Sequence, residues 1–397
     1  MNKTIGLACN ISTGKLDANQ AVSGAAYPFY TCAEHPDQID RYAYDDDVVL
    51  VAGNNARGNF HVSRFKGKFN AYQRTYILTA KDGYDIDYIY YALKLELKRL
   101  REKAQGSQTK FLTMPILTDI HLRNITGPEQ SEIARVLSKI DKKIELNNRI
   151  NAELEAMAKT LYDYWFVQFD FPDTNGKPYK TSGGKMVYNS SLKREIPEGW
   201  NDCLLGDHIT FKRGISYKSG DIQDEGIPLI NLNSFSLSGE FKLEGTKYYN
   251  GTFKPESKLH VGDLVIAITD VTRNADIIGK AFVIPDIFDE EPLISCDVAC
   301  VFSEIFGAAY LERLFNSENY HRYIKYYASG TLVLHLDLNG IKWFKTFQPP
   351  KKLLEKYNQY SSLLFKQRNI ALKENIYLEA LRDWLLPMLM NGQVTVK

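Results

Sequence analysis

Arg57, Asn59, Tyr72, Gln73 and Arg74 fall close together near the start of a 397-residue chain. Guanidinium and amide groups carry paired donors and acceptors, and a phenol does both. These are the side chains that hydrogen-bond base edges and phosphates. Between residues 55 and 110 there are twelve Lys and Arg against five Asp and Glu, so a local basic surface is expected although the whole chain carries a formal net charge of only +1. Thr109 and Lys110 close that stretch. The second half is less clearly basic, and its candidates are Lys212, Arg213, Lys218, Arg273, Asn274, Lys280 and Thr331. Three of these lie in TDVTRNADIIGK (269–280), a polar loop directly after a strand-like run and therefore a good place for a reading loop.

Covalent chemistry finds no comparable constellation. GGKM (183–186) lacks the Ser/Thr and upstream Gly of a phosphate-binding loop, and there is no H-E-x-x-H or nucleophile elbow. GKPYK (176–180) and QPPKK (348–352) lack the residues of a methyltransferase motif, and no Gly-rich S-adenosylmethionine loop is present. Asp173 and Glu240-Phe241-Lys242 are too loosely spaced for a nuclease centre. The five cysteines (9, 32, 203, 296 and 300) form no C-x-x-C and are expected to be reduced core thiols. No catalytic residue and no metal ligand is assigned, and the chain is expected not to be an enzyme. No stretch reaches eighteen apolar residues, so a cytoplasmic protein without a membrane span is expected.

The elements that must position the polar residues are written twice. NAELEAMAKTLYDYWF (151–166) ends one helical pattern and NIYLEALRDWLL (375–386) ends another, with Asn151, Leu154, Glu155 and Ala156 returning as Asn375, Leu378, Glu379 and Ala380. Upstream, Ile5-Gly6 matches Leu205-Gly206, Gly14 matches Gly214, and Tyr27-Pro28-Phe29 matches Ile227-Pro228-Leu229. Further on, Asp47-Val48-Val49-Leu50 is matched to Asp263-Leu264-Val265-Ile266 and Tyr91 to Tyr310. VVLVAG (48–53) and DLVIAIT (263–269) have the β-branched, apolar composition of buried strands. IDYIYYALKLELKRLREKA (86–104) and AAYLERLFNSENYHRYIKYYA (308–328) are expected helices. A repeat of about 200 residues is too large for a solenoid unit and implies a duplicated domain-plus-helix module.

The module ends are heptad seams: Ile133, Leu137, Ile140, Ile144, Asn147, Asn151, Leu154, Ala158 and Leu161 in the first, and Leu353, Tyr357, Tyr360, Leu364, Gln367, Ala371, Leu378, Leu381 and Leu385 in the second, where Glu374 interrupts. Each stripe needs a partner, and the other is the obvious one. The expected fold is α+β: two similar mixed domains (1–125 and 197–348) and two long antiparallel coiled-coil helices (126–166 and 349–397), related by a pseudo-twofold axis, with 167–196 as a surface linker. A seam from 133 to 161 spans roughly 40 Å. Half-sites one turn apart on duplex DNA are separated by about 34–36 Å. A rod of that length fits a protein touching two short DNA segments across an unread gap.

The chain resembles the DNA-specificity subunits of type I restriction–modification systems. The resemblance is carried by LYDYWFVQFDFPDTNGKPYKTSGGKMVYNSSLKREIPEGW (161–200), LGDHITFKRGISYKSGDIQDEGIPLINLNSF (205–235) and LEALRDWLLPMLMNGQV (378–394), in that order along nearly the whole chain. The first repeat departs from the pattern in lacking a counterpart of Pro197-Glu198-Gly199-Trp200 ahead of Ile5. The resemblance implies two target-recognition domains reading a split, asymmetric site in double-stranded DNA. It implies a non-catalytic chain that recruits two modification subunits, which bind S-adenosylmethionine and methylate adenine, and restriction subunits that use ATP with Mg2+. Tyr164, Trp165, Phe166, Trp384, Leu385 and Leu389 are then the expected partner contacts. Two alternatives stand beside this: a related system whose partner fuses methylation and cleavage, and an interaction scaffold that does not touch DNA.

Overall fold

The computed structural model describes residues 3–54, 60–103, 111–272 and 274–396. The chain divides into two compact units, Met1–Leu146 with Asn375–Lys397, and Asn147–Glu374.

In the first unit, β1 (Lys3–Thr4) pairs with β8 (His121–Leu122), and six strands form one sheet: β2 (Cys9–Thr13), β3 (Tyr27–Tyr30), β4 (Asp37–Ile39), β5 (Tyr44–Ala52), β6 (Val62–Ala71) and β7 (Thr75–Ala80), in the order β2-β7-β5-β6-β3-β4. β5 takes an interior place because both its faces are apolar. Val49 and Val51 pack beneath α1 (Ile86–Lys103) with Tyr88, Ile89 and Leu93, while Val48 and Leu50 pack with Tyr30, Phe69 and Ile77 on the other face. α1 is started by Asp85, whose carboxylate accepts the amides of Asp87 and Tyr88. The long helix α2 (Gly127–Tyr162) begins at a capping box, Thr126 and Glu129 bonding reciprocally.

The second unit repeats this plan in shorter strands. β9 (Asn201–Leu204) pairs with β16 (Lys345–Gln348), as β1 does with β8. β10 (Thr210–Arg213), β15 (Val298–Phe302), β12 (Leu264–Ala267) and β13 (Ala281–Val283) form a sheet in that order, and β11 (Ile227–Ile230) runs parallel to β14 (Leu293–Ile294) just as β3 runs parallel to the end of β6. Single hydrogen bonds recur one for one. Ile5 N–H reaches Ile120 C=O and Leu205 N–H reaches Phe344 C=O, each at 2.9 Å.

These bonds correct two of the sequence matches. Gly53 N–H binds Arg74 C=O and Ile268 N–H binds Asp297 C=O, and Val49 opposes Leu78 as Leu264 opposes Val301. Val49 is therefore the counterpart of Leu264, one residue away from the expected match. A one-residue slip exchanges the faces of a strand, and two apolar faces gave the sequence no mark to tell them apart. Likewise Ile89 N–H binds Asp85 C=O and Leu311 N–H binds Gly307 C=O, which makes Tyr88, not Tyr91, the counterpart of Tyr310. Both tyrosines are fully buried.

The expected helix 308–328 is two helices, α3 (Ala308–Asn316) and α4 (Glu318–Ile324). Asn316 turns its amide to Ala281, accepting at 3.1 Å and donating at 2.7 Å, and Ser317 caps the next helix. The segment 167–196 lies at the surface between 172 and 195, but its ends are anchored in the core. Phe169, Phe171 and Ile196 are buried with Trp200, and Phe171 stacks on Tyr179.

α5 (Lys351–Asn391) is the second long helix. In the first unit Arg382 of α5 donates to Asp141 of α2 at 3.1 Å. In the second, Asn147 donates to Glu374 at 2.8 Å and Arg368 to Glu155 at 2.5 Å. Numbers rise along α2 as they fall along α5, so the helices run antiparallel within each unit. The α5 seam differs from the expected one. Tyr360, Gln367 and Leu381 are exposed, and Ser361, Asn369 and Asn375 are buried beside Tyr357 and Ala371. A strict heptad drifts against a 3.6-residue turn, and polar residues occupy the seam where the drift carries it.

Candidate nucleic-acid interface

In the first unit the turn between β6 and β7 carries Tyr72, Gln73 and Arg74. Its backbone is held on three sides. Tyr72 N–H binds Tyr30 C=O at 2.9 Å, Gln73 N–H binds Leu16 C=O at 2.9 Å, and Gly53 N–H binds Arg74 C=O at 2.8 Å. Gly14 lies so close that a Cβ there would collide with the carbonyl oxygens of Ala71 and Tyr72. Gln73 and Arg74 are exposed, and Gln73 Nε2 donates to Asp17 at 2.8 Å. Arg57, Asn59, Thr109 and Lys110 lie outside the described residues.

The second unit builds the same corner from other residues. Ser295 N–H binds Ile230 C=O, Ile215 N–H binds Ile294 C=O, and a Cβ on Gly214 would meet the carbonyls of Ile294 and Ser295. The turn Ser295-Cys296-Asp297 thus replaces Tyr72-Gln73-Arg74. Sequence reasoning missed it because its residues are neither basic nor amide-bearing, and only the matching Gly14 and Gly214 pointed there. Cys296 is exposed rather than a core thiol, and partial burial with Asp297 alongside raises its pKa. Asp297 accepts from the Thr269 hydroxyl at 2.9 Å.

Beside this turn lies the loop after the short strand Thr269–Asp270. Asp270 is buried, and its carboxylate accepts the amides of Thr272, Ile277 and Ile278 at 2.6–2.8 Å, which shapes the loop from within. Ala275 takes φ +53°, and its carbonyl accepts from His321 Nε2 at 3.1 Å. Burial first, then Lys280 and Lys325, push His321 down to about 4, so it is neutral and donates. Asn274 is exposed on this loop, and Arg273 lies outside the described residues.

Two expected cations are corrected. Lys280 is buried, with Nζ against Asn316 C=O at 3.4 Å, and burial followed by Lys325 lowers its pKa. Lys212 gives its ammonium to the carbonyls of Glu256 and Lys258. Both hold loops together rather than face a ligand. Arg213, Lys218 and Thr331 are exposed. Within 55–110, Arg64 pairs with Asp47 and Asp87 and Arg99 with Glu96, so these two guanidiniums already face carboxylates. Among the described residues no cluster of His, Cys, Asp or Glu could hold a metal ion.

Residues 2–156 match the family model of the type I restriction modification DNA specificity domain. This stretch belongs to that family. The specificity subunit of the Escherichia coli type I enzyme EcoDI is 36% identical over 40% of this chain, an alignment that spans 34% of that protein's length. The specificity subunit of the MjaIX enzyme of Methanocaldococcus jannaschii is 25% identical over 80% of this chain and 71% of its own. The crystal structure of a type I restriction–modification S subunit from M. genitalium superposes with a TM-score of 0.63 over 98% of this chain and 96% of that one, at 18% identity, a likeness of fold.

For a chain similar to specificity subunits, the six expected partner contacts divide by burial. Trp165 and Phe166 are core residues packed on Tyr357, and Phe166 also meets Tyr310 edge to face at 4.9 Å. Leu389 is buried with Ile133 and Leu137, and Leu385 packs against the same core. A partner cannot reach the three buried ones. Tyr164 and Trp384 remain exposed. The sequence could not separate them, because an aromatic helix end serves a core and an interface equally well.

Proposed function

We propose that this chain is the non-catalytic DNA-reading subunit of a type I restriction–modification complex, and that it reads a bipartite, asymmetric site. The observation that carries this is the repeated corner. One backbone scaffold, held by matching hydrogen bonds at Tyr72 and Ser295 and by the same crowded glycine, presents Gln73 and Arg74 in one unit and Cys296 with Asp297 in the other. Equal scaffolds with unequal side chains suit the reading of two different short sequences, since position comes from the backbone and identity from the donors and acceptors.

The long helices support recruitment of the modification subunits. Leu363, Ile370, Tyr377 and Trp384 recur every seven residues along α5 and are 62, 53, 61 and 56% exposed. Ile150, Met157 and Tyr164 repeat the same spacing from α2 onward. Solvent-facing apolar residues at heptad spacing form a coiled-coil seam still to be covered. On this reading S-adenosylmethionine belongs to the modification subunits, ATP with Mg2+ to the restriction subunits, and the complex works in the cytoplasm. Among the described residues no helix is long and apolar enough to cross a membrane.

The test is to replace residues 197–348 with the corresponding domain of another specificity subunit, express the chimera with its modification subunits, and sequence the host methylome. One half-site changes and the other stays. A methylome with both half-sites altered, or neither, overturns the proposal.

A further inference from the structure

We propose that Gln73 reads an adenine in the half-site of the first unit, and that Asp17 is the positioning residue that turns the Gln73 amide for it. This rests on the DNA-reading function proposed above and names the base and the atoms. A primary amide on a mobile side chain presents its oxygen and nitrogen interchangeably. Here the backbone around Gln73 is immobilised by Tyr30, Leu16 and Gly53. Its Nε2 donates to Asp17 Oδ1 at 2.8 Å, across 56 residues of sequence. A carboxylate only accepts, so the nitrogen must face Asp17 and the amide cannot flip. One Nε2 hydrogen is used by Asp17. The other hydrogen and Oε1 are left on an exposed turn. That donor–acceptor pair complements N7 and N6 of adenine in the major groove, whereas guanine offers two acceptors there.

Asp17 also needs an explanation of its own. It is exposed, two residues from the exposed Lys15 and bonded to the neighbour of the exposed Arg74, and a negative charge there opposes approach to phosphates. A carboxylate placed against the general attraction is accounted for if it sharpens one base contact. In the second unit the equivalent turn has Cys296 and Asp297 and no amide, so the adenine contact belongs to one half-site alone.

The experiment selects binding sites for the full-length chain from a duplex DNA library with randomised positions, and then measures affinity for the selected site and for an unrelated duplex. For Gln73→Ala we expect preference to collapse at one A·T pair of one half-site, with affinity for the selected site falling about ten- to a hundred-fold. The second half-site stays intact, which also shows that the variant is folded. Asp17→Ala relaxes the same A·T pair while affinity for the unrelated duplex is unchanged or rises. The inference is overturned if Gln73→Ala leaves every position as it was or relaxes a G·C pair, or if Asp17→Ala weakens unrelated DNA as much as the selected site. A parent chain that selects no sequence at all overturns the DNA-reading function itself, a different result from either.

Discussion

His321 shows how one side chain can set the firmness of the loop that follows Asp270. It donates Nε2–H to the Ala275 carbonyl, with Lys280, Lys325 and Asp276 around it. Burial and the two lysines hold its pKa at about 4, below the ordinary 6.5. Between those values the unfolded chain takes up a proton that the folded chain refuses, so stability falls as pH drops through that window and is fully present above it. We expect His321→Gln, which keeps a donor but does not titrate, to be less stable than the parent at pH 7 and to lose that deficit by pH 5. Thermal melting at the two values checks this, and a deficit independent of pH would count against it. Other single residues explain what the sequence allowed to be read. The exposure of Gln73 and Arg74 could be anticipated, because amide and guanidinium groups in a polar turn tend to face water. The inward turn of Lys212 and Lys280 could not, because a lysine's long apolar stem lets its ammonium reach inward to carbonyls as easily as outward to phosphate.

Between elements, each unit joins its domain helix to both long helices through one acidic residue of α2. In the second unit Glu155 receives Arg313 from α3 and Arg368 from α5. In the first, Asp141 receives Tyr91 from α1 at 2.6 Å and Arg382 from α5 at 3.1 Å. Tyr91 and Arg313 occupy the same place in the repeat, three residues after Tyr88 and Tyr310, so the position is kept while its chemistry changes. Burial raises the Glu155 pKa, but the two guanidiniums outweigh it and hold the carboxyl below the usual range. The three side chains are 10–19% exposed, which makes their pairing costly to break from one side. Glu155→Leu leaves two guanidiniums facing each other and is expected to cost about 3–5 kcal/mol in chemical denaturation. Replacing all three residues by apolar ones of similar volume, together with Glu312→Gln to remove the buried carboxylate that Arg313 also holds, should cost much less. If the single and combined variants are equally unstable, packing rather than charge holds the junction. None of this was visible beforehand. The heptads announced that the helices pair, but the residues that bolt them to a domain are far apart in sequence and appear only when α3 and α5 meet.

For the whole molecule, the duplication was legible because glycines forced by close backbone approach, such as Gly14 and Gly214, and long apolar strands survive divergence. The strand register and the folded segment 167–196 were not, since an all-apolar strand has no distinguishable face and a Gly- and Pro-rich stretch conceals three buried hydrophobic residues. On the proposed function, α2 and α5 set a distance on DNA while the domains choose the bases. That role separates cleanly from the domain-exchange test. Asn147 and Glu374 bond across the seam, so deleting 144–150 together with 373–379 removes facing stretches and leaves both acidic junctions, Asp141–Arg382 and Glu155–Arg368, in place. Seven residues are about two turns, so each remaining face is displaced by only ~20°, and each helix shortens by about 10 Å. At ~3.4 Å per base pair the unread gap should contract, by about three base pairs at most. Methylome sequencing of a host carrying the deleted chain and its modification subunits should show the same bases in both half-sites at a shorter separation. An unchanged gap would mean that the helices do not set the distance, and altered bases would mean that the domains do not read independently of it.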